Sequence, residues 1–394
     1  MFLALLAGCD GTSASRPRTL YPEGARHSPI TVDLAERIQQ AAASHPRHDH
    51  VFAKVGDSIT VASESLTCFD GGLVDLGSRA DLRPTLEQFR ASDAAGSSPF
   101  GRSSLAANGG TTATDVMAGS PCPLQREIDA IDPRLAVVMF GTNEVRFGQS
   151  VDQFGAGLWT AIDEVLLNGA IPIMSTIPPI DQESDARIPT FNHVIRAIAQ
   201  GRAVPLVDLH RELMPLPNRG LAADGIHLSV AVSGACDLTA AGLAAGYNVR
   251  NLLTLEALVR TDAALAGAAP DANAPARSGS GTADDPWTST LPLVDLADTR
   301  DGTPPIATSG CGGRELTDHA VTYRIDLAVE TSLTAYVVDR PGVDVDVHVL
   351  AGTPSACVAS SDQRATATVG PGAVSIVIDS PGADLEGEYV LVVE

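Results

Sequence analysis

The strongest constraint on this chain is an alternation. Short, largely apolar runs of strand length, at residues 51–55, 135–140 (apolar throughout), 171–177 and 204–209, recur between longer stretches with helical character, at residues 32–43, 151–168, 191–200 and 252–266. Gly169 stands just past one of these stretches as a C-cap signal, and Asn251 just before another as an N-cap. A run that is apolar throughout suits a strand buried on both faces, and strands separated by helices pair in parallel. Residues 48–265 are therefore expected to be an α/β unit, a parallel sheet with helices on both faces.

From residue 266 the pattern changes. Residues 266–289 are rich in Ala, Gly, Pro and Ser without periodic apolar positions, which reads as a flexible linker. Beyond it, β-type runs at 321–327, 333–338, 343–350, 374–378 and 389–393 are separated by turn residues, so residues 290–394 are expected to form an all-β sandwich. A length of 394 residues suits two such units. The formal net charge of −22 opposes phosphate backbones and anionic lipid, so no nucleic-acid partner is expected. No apolar run reaches the ~18–20 residues of a membrane span.

The first residues, Met1-Phe2-Leu3-Ala4-Leu5-Leu6-Ala7-Gly8-Cys9, resemble a bacterial lipobox. The resemblance implies that residues 1–9 are a lipoprotein-type signal segment and that Cys9 is lipidated after cleavage. The chain would then be exported and held to a membrane by acyl anchors without spanning it. Two departures stand out: no Lys or Arg precedes the apolar stretch, and the stretch is short. Residues 10–47 read as a polar tether and a first helix. The other cysteines are Cys68, Cys122, Cys236, Cys311 and Cys357. They form no C-x-x-C pair, which argues against a zinc site. In an exported chain they read as disulfide formers. Cys311 and Cys357 share the C-terminal region and are expected to pair. Cys68 with Cys122 is a second pairing, which leaves Cys236 over; buried free thiols are the alternative.

Four segments carry chemistry. Gly56-Asp57-Ser58-Ile59-Thr60 follows the first strand, and ligands of parallel sheets bind beyond the carboxyl ends of strands. Ser58 there suits a nucleophile whose own N–H helps to bind an oxyanion. Asn108-Gly109-Gly110-Thr111-Thr112 offers glycines that let backbone N–H groups approach a ligand. Gly141-Thr142-Asn143-Glu144 ends the 135–140 strand with an amide donor on Asn143. Asp224-Gly225-Ile226-His227 supplies a base and, three residues earlier, a carboxylate to orient it. Taken singly, each is equally an ordinary capping or turn segment. His45, His48 and His50 read as solvated surface rather than a metal site. Asp49 is their one acidic neighbour, and Pro46 breaks any helix that would align them.

In this order the four segments resemble the GDSL/SGNH hydrolase superfamily, over about residues 48–265. Ile59 stands where Leu is commoner, Glu144 replaces the usual Asp of the third block, and Gly110 replaces the Asp or Ala of the second. The resemblance implies a flavodoxin-like, three-layer α/β/α sandwich and an esterase that needs no metal or organic cofactor. It makes Ser58 the nucleophile, His227 the base and Asp224 its orienting carboxylate. The N–H groups of Ser58 and Gly109 and the Asn143 side chain would form the oxyanion hole. The implied substrate is an acylated carbohydrate or a lipid ester. A catalytically degenerate scaffold that binds surface polymers through its β-unit is the alternative.

The C-terminal unit resembles the bacterial pre-peptidase C-terminal domain. Ser309-Gly310-Cys311, Asp344-Val345-Asp346-Val347-His348-Val349-Leu350, Cys357, Pro371-Gly372 and Gly387-Glu388-Tyr389 carry that likeness. Asp344, Asp346 and His348 alternate with valines, which reads as a solvated strand face; a Ca²⁺ site or glycan contact is the other reading. A monomer is expected.

Overall fold

The computed structural model describes residues 19–71, 73–181, 183–271, 275–303, 319–351 and 356–394. Helix α1 (Val32–Ser44) begins where the Thr31 side chain accepts the Leu34 N–H. It precedes strand β1 (His48–Gly56). Then follow α2 (Ser58–Val61), α3 (Arg83–Ala91), α4 (Pro123–Ile131), β2 (Pro133–Met139), α5 (Thr142–Arg146) and α6 (Val151–Leu167). The unit ends with β3 (Ile171–Ser175), α7 (Ile188–Gly201), β4 (Leu206–Val207), α8 (Leu209–Leu213) and α9 (Gly246–Leu265). Strands β1 to β4 pair in parallel in chain order. Strand β2 is buried at every position, as the apolar run from Leu135 to Met139 requires of all but its first two residues. The flanking helices pair as α1 with α9 and α6 with α7. The expected α/β architecture is present.

Helix α9 starts at Gly246, so Asn251 is not its cap. Asn251 is fully buried inside the helix. Its side chain accepts the Leu66 N–H and donates to the carbonyls of Glu64 and Ala235. These long-range bonds override the local capping preference, because a buried amide must be satisfied wherever its partners lie.

The second unit contains β5 (Trp287–Ser289), β6 (Leu293–Asp298), β7 (Ala320–Leu327), β8 (Thr331–Val338) and β9 (Asp346–Ala351). It continues with β10 (Cys357–Ser361), β11 (Arg364–Val369), β12 (Gly372–Asp379) and β13 (Glu388–Val393). One sheet runs β10-β9-β12-β7-β5 and the other β11-β8-β13-β6, enclosing an apolar core of their own. The β-sandwich expected beyond residue 290 is therefore present. Strands β5, β6, β10 and β11 carried too many Asp, Ser, Thr and Ala residues to stand out as apolar runs.

Residues 275–289 are not the flexible linker that their composition suggests. Leu20 donates its N–H to the Pro275 carbonyl, and Ser278 bridges Thr288. The Arg277 guanidinium is buried 2.7 Å from the Asp295 carboxylate, which also accepts the Tyr323 hydroxyl at 2.8 Å. A polar buried network does the anchoring, and apolar periodicity gives no sign of it.

The reading of Asp344, Asp346 and His348 as a solvated face also needs correction. Asp346 and His348 are buried, and His348 Nε2 lies 2.6 Å from Asp379 Oδ1. Strand β9 is interior to its sheet, between β10 and β12, and both of its faces are covered.

The expected pairing of Cys68 with Cys122 also needs correction. Cys68 is joined to Cys236, while Cys122 is a buried free thiol whose sulfur accepts the Gln125 N–H at the start of α4. Cys68 and Cys236 are 168 residues apart, and Asn251 bonds both Cys68 and Ala235, the residue before Cys236, a proximity created by the fold. Cys357 is disulfide-bonded; Cys311 and Cys9 lie outside the described residues.

The two units meet over an apolar face. Val294, Leu296, Val338, Val390 and Val392 of the sandwich join the same core cluster as Val194 and Ile198 of α7. Arg202 closes the edge, with 2.7 Å to Asp163 and 2.6 Å to Glu388. Among the described residues, no helix is long and apolar enough to cross a membrane.

Candidate active site

The site lies at the carboxyl end of β1. Gly56 ends the strand. A Cβ there would come within 2.7 Å of the Met139 carbonyl and closer still to the Thr60 hydroxyl, so only glycine fits. Asp57 then caps α2, its carboxylate accepting the Ile59 N–H at 2.9 Å. Ser58 is the first residue of α2, so its backbone N–H has no acceptor within the helix.

The loop that carries His227 is built on Asp224. Asp224 Oδ1 accepts the N–H groups of Ile226 and His227, both at 3.0 Å. Gly225, between Asp224 and Ile226, has φ +69°, a conformation that favours glycine. The other oxygen, Oδ2, lies 2.6 Å from His227 Nδ1, and His227 Nε2 lies 3.0 Å from Ser58 Oγ. The bond from His227 holds the Asp224 carboxyl down at about pKa 2, so it stays ionised across the neutral range. His227 and Asp224 are both accessible, with side chains 39% and 48% exposed.

Two further segments close on the same strand end. Gly56 donates to the Ala106 carbonyl and accepts the Asn108 N–H, which fastens the Gly109 loop to the residue before Asp57. The Gly109 N–H is held by its neighbour, Asn108 Oδ1, at 3.0 Å. A ligand oxygen would displace that side chain. Asn143 is buried in α5 and donates one amide hydrogen to the Thr111 carbonyl at 2.9 Å. An amide has two N–H bonds, which leaves one for a ligand.

Sequence reasoning missed the buried charges beneath the site. Glu144 accepts the Ala113 N–H at 2.7 Å and so clamps the second block onto the third. Burial pushes its pKa up to about 7, and that of Asp57 up to about 6. Arg250, fully buried in α9, donates to the Ile59 carbonyl and to the hydroxyls of Ser65 and Thr60. It fixes the short helix behind Ser58. A charged residue in an apolar helix next to a nucleophile turn was the available signal for Arg250.

Other candidate groups lie elsewhere. His50 pairs with Asp262 at 3.2 Å and meets Phe89 edge-on, while His48 Nδ1 faces the Ile131 carbonyl. Among the described residues, Asp346–His348–Asp379 and Asp339–Asp344–Asp362 each bring three potential ligand atoms within 4.8 Å of one another.

Several solved structures are similar to parts of the chain. A GDSL-like lipase from Bacteroides thetaiotaomicron is 16% identical with TM-score 0.37, over 58% of this chain and 98% of its own. An acetylxylan esterase from Geobacillus stearothermophilus is 17% identical with TM-score 0.37, over 54% and 94%. The pre-peptidase C-terminal domain of a collagenase from Bacillus anthracis is 15% identical with TM-score 0.21, over 27% and 92%. No curated protein matches the chain. The model of the GDSL-like lipase/acylhydrolase family matches residues 55–233, the span that holds Ser58, Gly109, Asn143, Asp224 and His227. Residues 55–233 of this chain are a GDSL-like lipase/acylhydrolase domain.

Proposed function

We propose that the protein is a carboxylic-ester hydrolase working through an acyl-enzyme on Ser58, its substrate an acylated carbohydrate or a lipid ester. One observation carries the reading: Ser58 Oγ, His227 and Asp224 form a continuous chain of contacts at 3.0 and 2.6 Å. In that geometry His227 Nε2 takes the Ser58 proton as Oγ bonds to the ester carbonyl carbon. Asp224 holds the ring and balances the imidazolium. The negative charge moves to the carbonyl oxygen, where the N–H groups of Ser58 and Gly109 and the second Asn143 hydrogen receive it. As the tetrahedral carbon collapses, the alkoxide leaves with the proton from His227. Water, activated by the same nitrogen, then cleaves the acyl-enzyme to acid and free Ser58.

Purified protein is expected to hydrolyse p-nitrophenyl acetate. Ser58→Ala should lower kcat by roughly 10⁴ or more with an unchanged circular dichroism spectrum. A wild type inert from acetate to octanoate esters would overturn the reading in favour of a binding scaffold.

Export, with lipidation of Cys9, belongs to the same proposal. The Cys68–Cys236 disulfide supports it, because such bonds persist in oxidising compartments. Metabolic labelling with a tagged fatty acid should mark the wild type and not Cys9→Ser; equal labelling of both would refute the anchor.

A further inference from the structure

We propose that this site acts on acylated oligosaccharides, with the sugar chain lying in a groove walled jointly by the hydrolase domain and the β-sandwich. Resting on the ester-hydrolase reading above, this assigns the sandwich a part in substrate binding. The groove has a volume of about 680 Å³; neither Ser58 nor His227 lines it, and it is tied to the site through the segments that hold Asn143. At one lip is Thr112, next to Thr111, whose carbonyl holds the Asn143 amide. At the other is Phe147, whose N–H bonds the Asn143 carbonyl one helical turn back. From there the groove follows one stripe of α6. From Gln153 to Thr160 it runs about 10 Å at 1.5 Å per residue, which is room for an oligomer rather than one ring. The far wall is Asp339, Arg340 and Pro341, from the turn after β8.

The lining offers a sugar both an apolar surface and hydrogen-bonding groups. Phe147 is 60% exposed and offers an uncovered aromatic face to the C–H face of a pyranose. Asp115, Gln149, Gln153 and Asp339 supply hydrogen-bonding groups of both kinds around it. Arg340 is a fixed part of the wall: it pairs with Asp163 and stacks 4.2 Å from the Trp159 ring. The wall is also permanent, because the apolar contact between the units keeps the β8 turn against α6.

The test compares p-nitrophenyl acetate, p-nitrophenyl octanoate and O-acetylated xylo- and cello-oligosaccharides of increasing length. Two surface variants are used: Phe147→Ala removes the aromatic face, and Thr160→Trp fills the far end. For the wild type, kcat/KM should rise with oligosaccharide length. Each variant should cut that gain about five- to tenfold and leave p-nitrophenyl acetate unchanged. Length independence, or variants that leave oligosaccharides untouched, would overturn the proposal. So would a preference for octanoate that Thr160→Trp abolishes, since the groove would then hold the acyl chain. Titration calorimetry of the Ser58→Ala protein with the same acetylated oligosaccharides reads the groove without turnover. Binding that Phe147→Ala weakens supports the subsite even where a wild type inert to all esters has refuted the hydrolase reading. No detectable binding overturns the subsite.

Discussion

At Glu144 burial works against charge. The carboxyl is held within the protein at about pKa 7 against 4.5 in an open chain, and Asp57 is raised from 3.8 to about 6 in the same way. The folded state therefore keeps protons that the unfolded chain releases. Stability from these groups is fully present below about pH 4 and is lost as pH rises through 6 to 7. Glu144→Gln keeps an oxygen for the Ala113 N–H and removes the titration. Urea denaturation should find it about 1–3 kcal/mol more stable than wild type at pH 8 and equal at pH 4. A variant that loses stability at both pH values would show that the ionised form is needed. Asp224 behaves in the opposite sense: its carboxyl is lowered by the His227 bond, so what it contributes is lost only as pH falls toward 2. Asp224→Asn should reduce kcat by about 10²–10⁴ with little change in Tm, because the pair is largely accessible.

Among the elements, the strands and helices of the first unit were readable because apolar residues recur along them in runs or at helical spacing. Strand β2 is buried throughout and apolar from Leu135 to Met139, and α6 starts with Ser150 and Gln153 in a reciprocal cap. What was unreadable was the lateral pairing of loops. The segment after Ser58 and the segment after His227 are joined by the Cys68–Cys236 bond and by Asn251, three contacts that no local pattern announces. The bond closes a loop of 168 residues, so its loss should cost roughly 2–5 kcal/mol. A Cys68→Ser/Cys236→Ser protein is expected to melt roughly 5–20 °C lower. An unchanged Tm would show that the buried hydrogen bonds suffice.

Across the whole molecule, the decisive feature is that the sandwich is not an appendage. In β6 and β13, alternate residues face opposite ways: Leu293, Leu391 and Val393 enter the sandwich core, while Val294, Leu296, Val390 and Val392 enter the core shared with α7. A chain ending at residue 289 would expose the α7 side of that face. It should bind a hydrophobic dye and aggregate, whereas the full chain stays dispersed. Arg202→Ala leaves Asp163 and Glu388 with one partner fewer and should lower stability by about 2–3 kcal/mol, read by chemical denaturation.

Periodicity and spacing determine the elements and their chemistry. An unbroken apolar run demands burial on both faces, and a glycine before Ser58 or a carboxylate three residues before His227 acts within one turn, where chain geometry is local. The apolar run at 389–393 likewise announced the strand β13. Only the tertiary structure decided what covers it, which sulfur meets Cys68, why Arg277 is buried and where a groove passes beside Phe147. Each of these joins residues tens to hundreds of positions apart, and their proximity is set by the packing of whole surfaces, which no local pattern encodes.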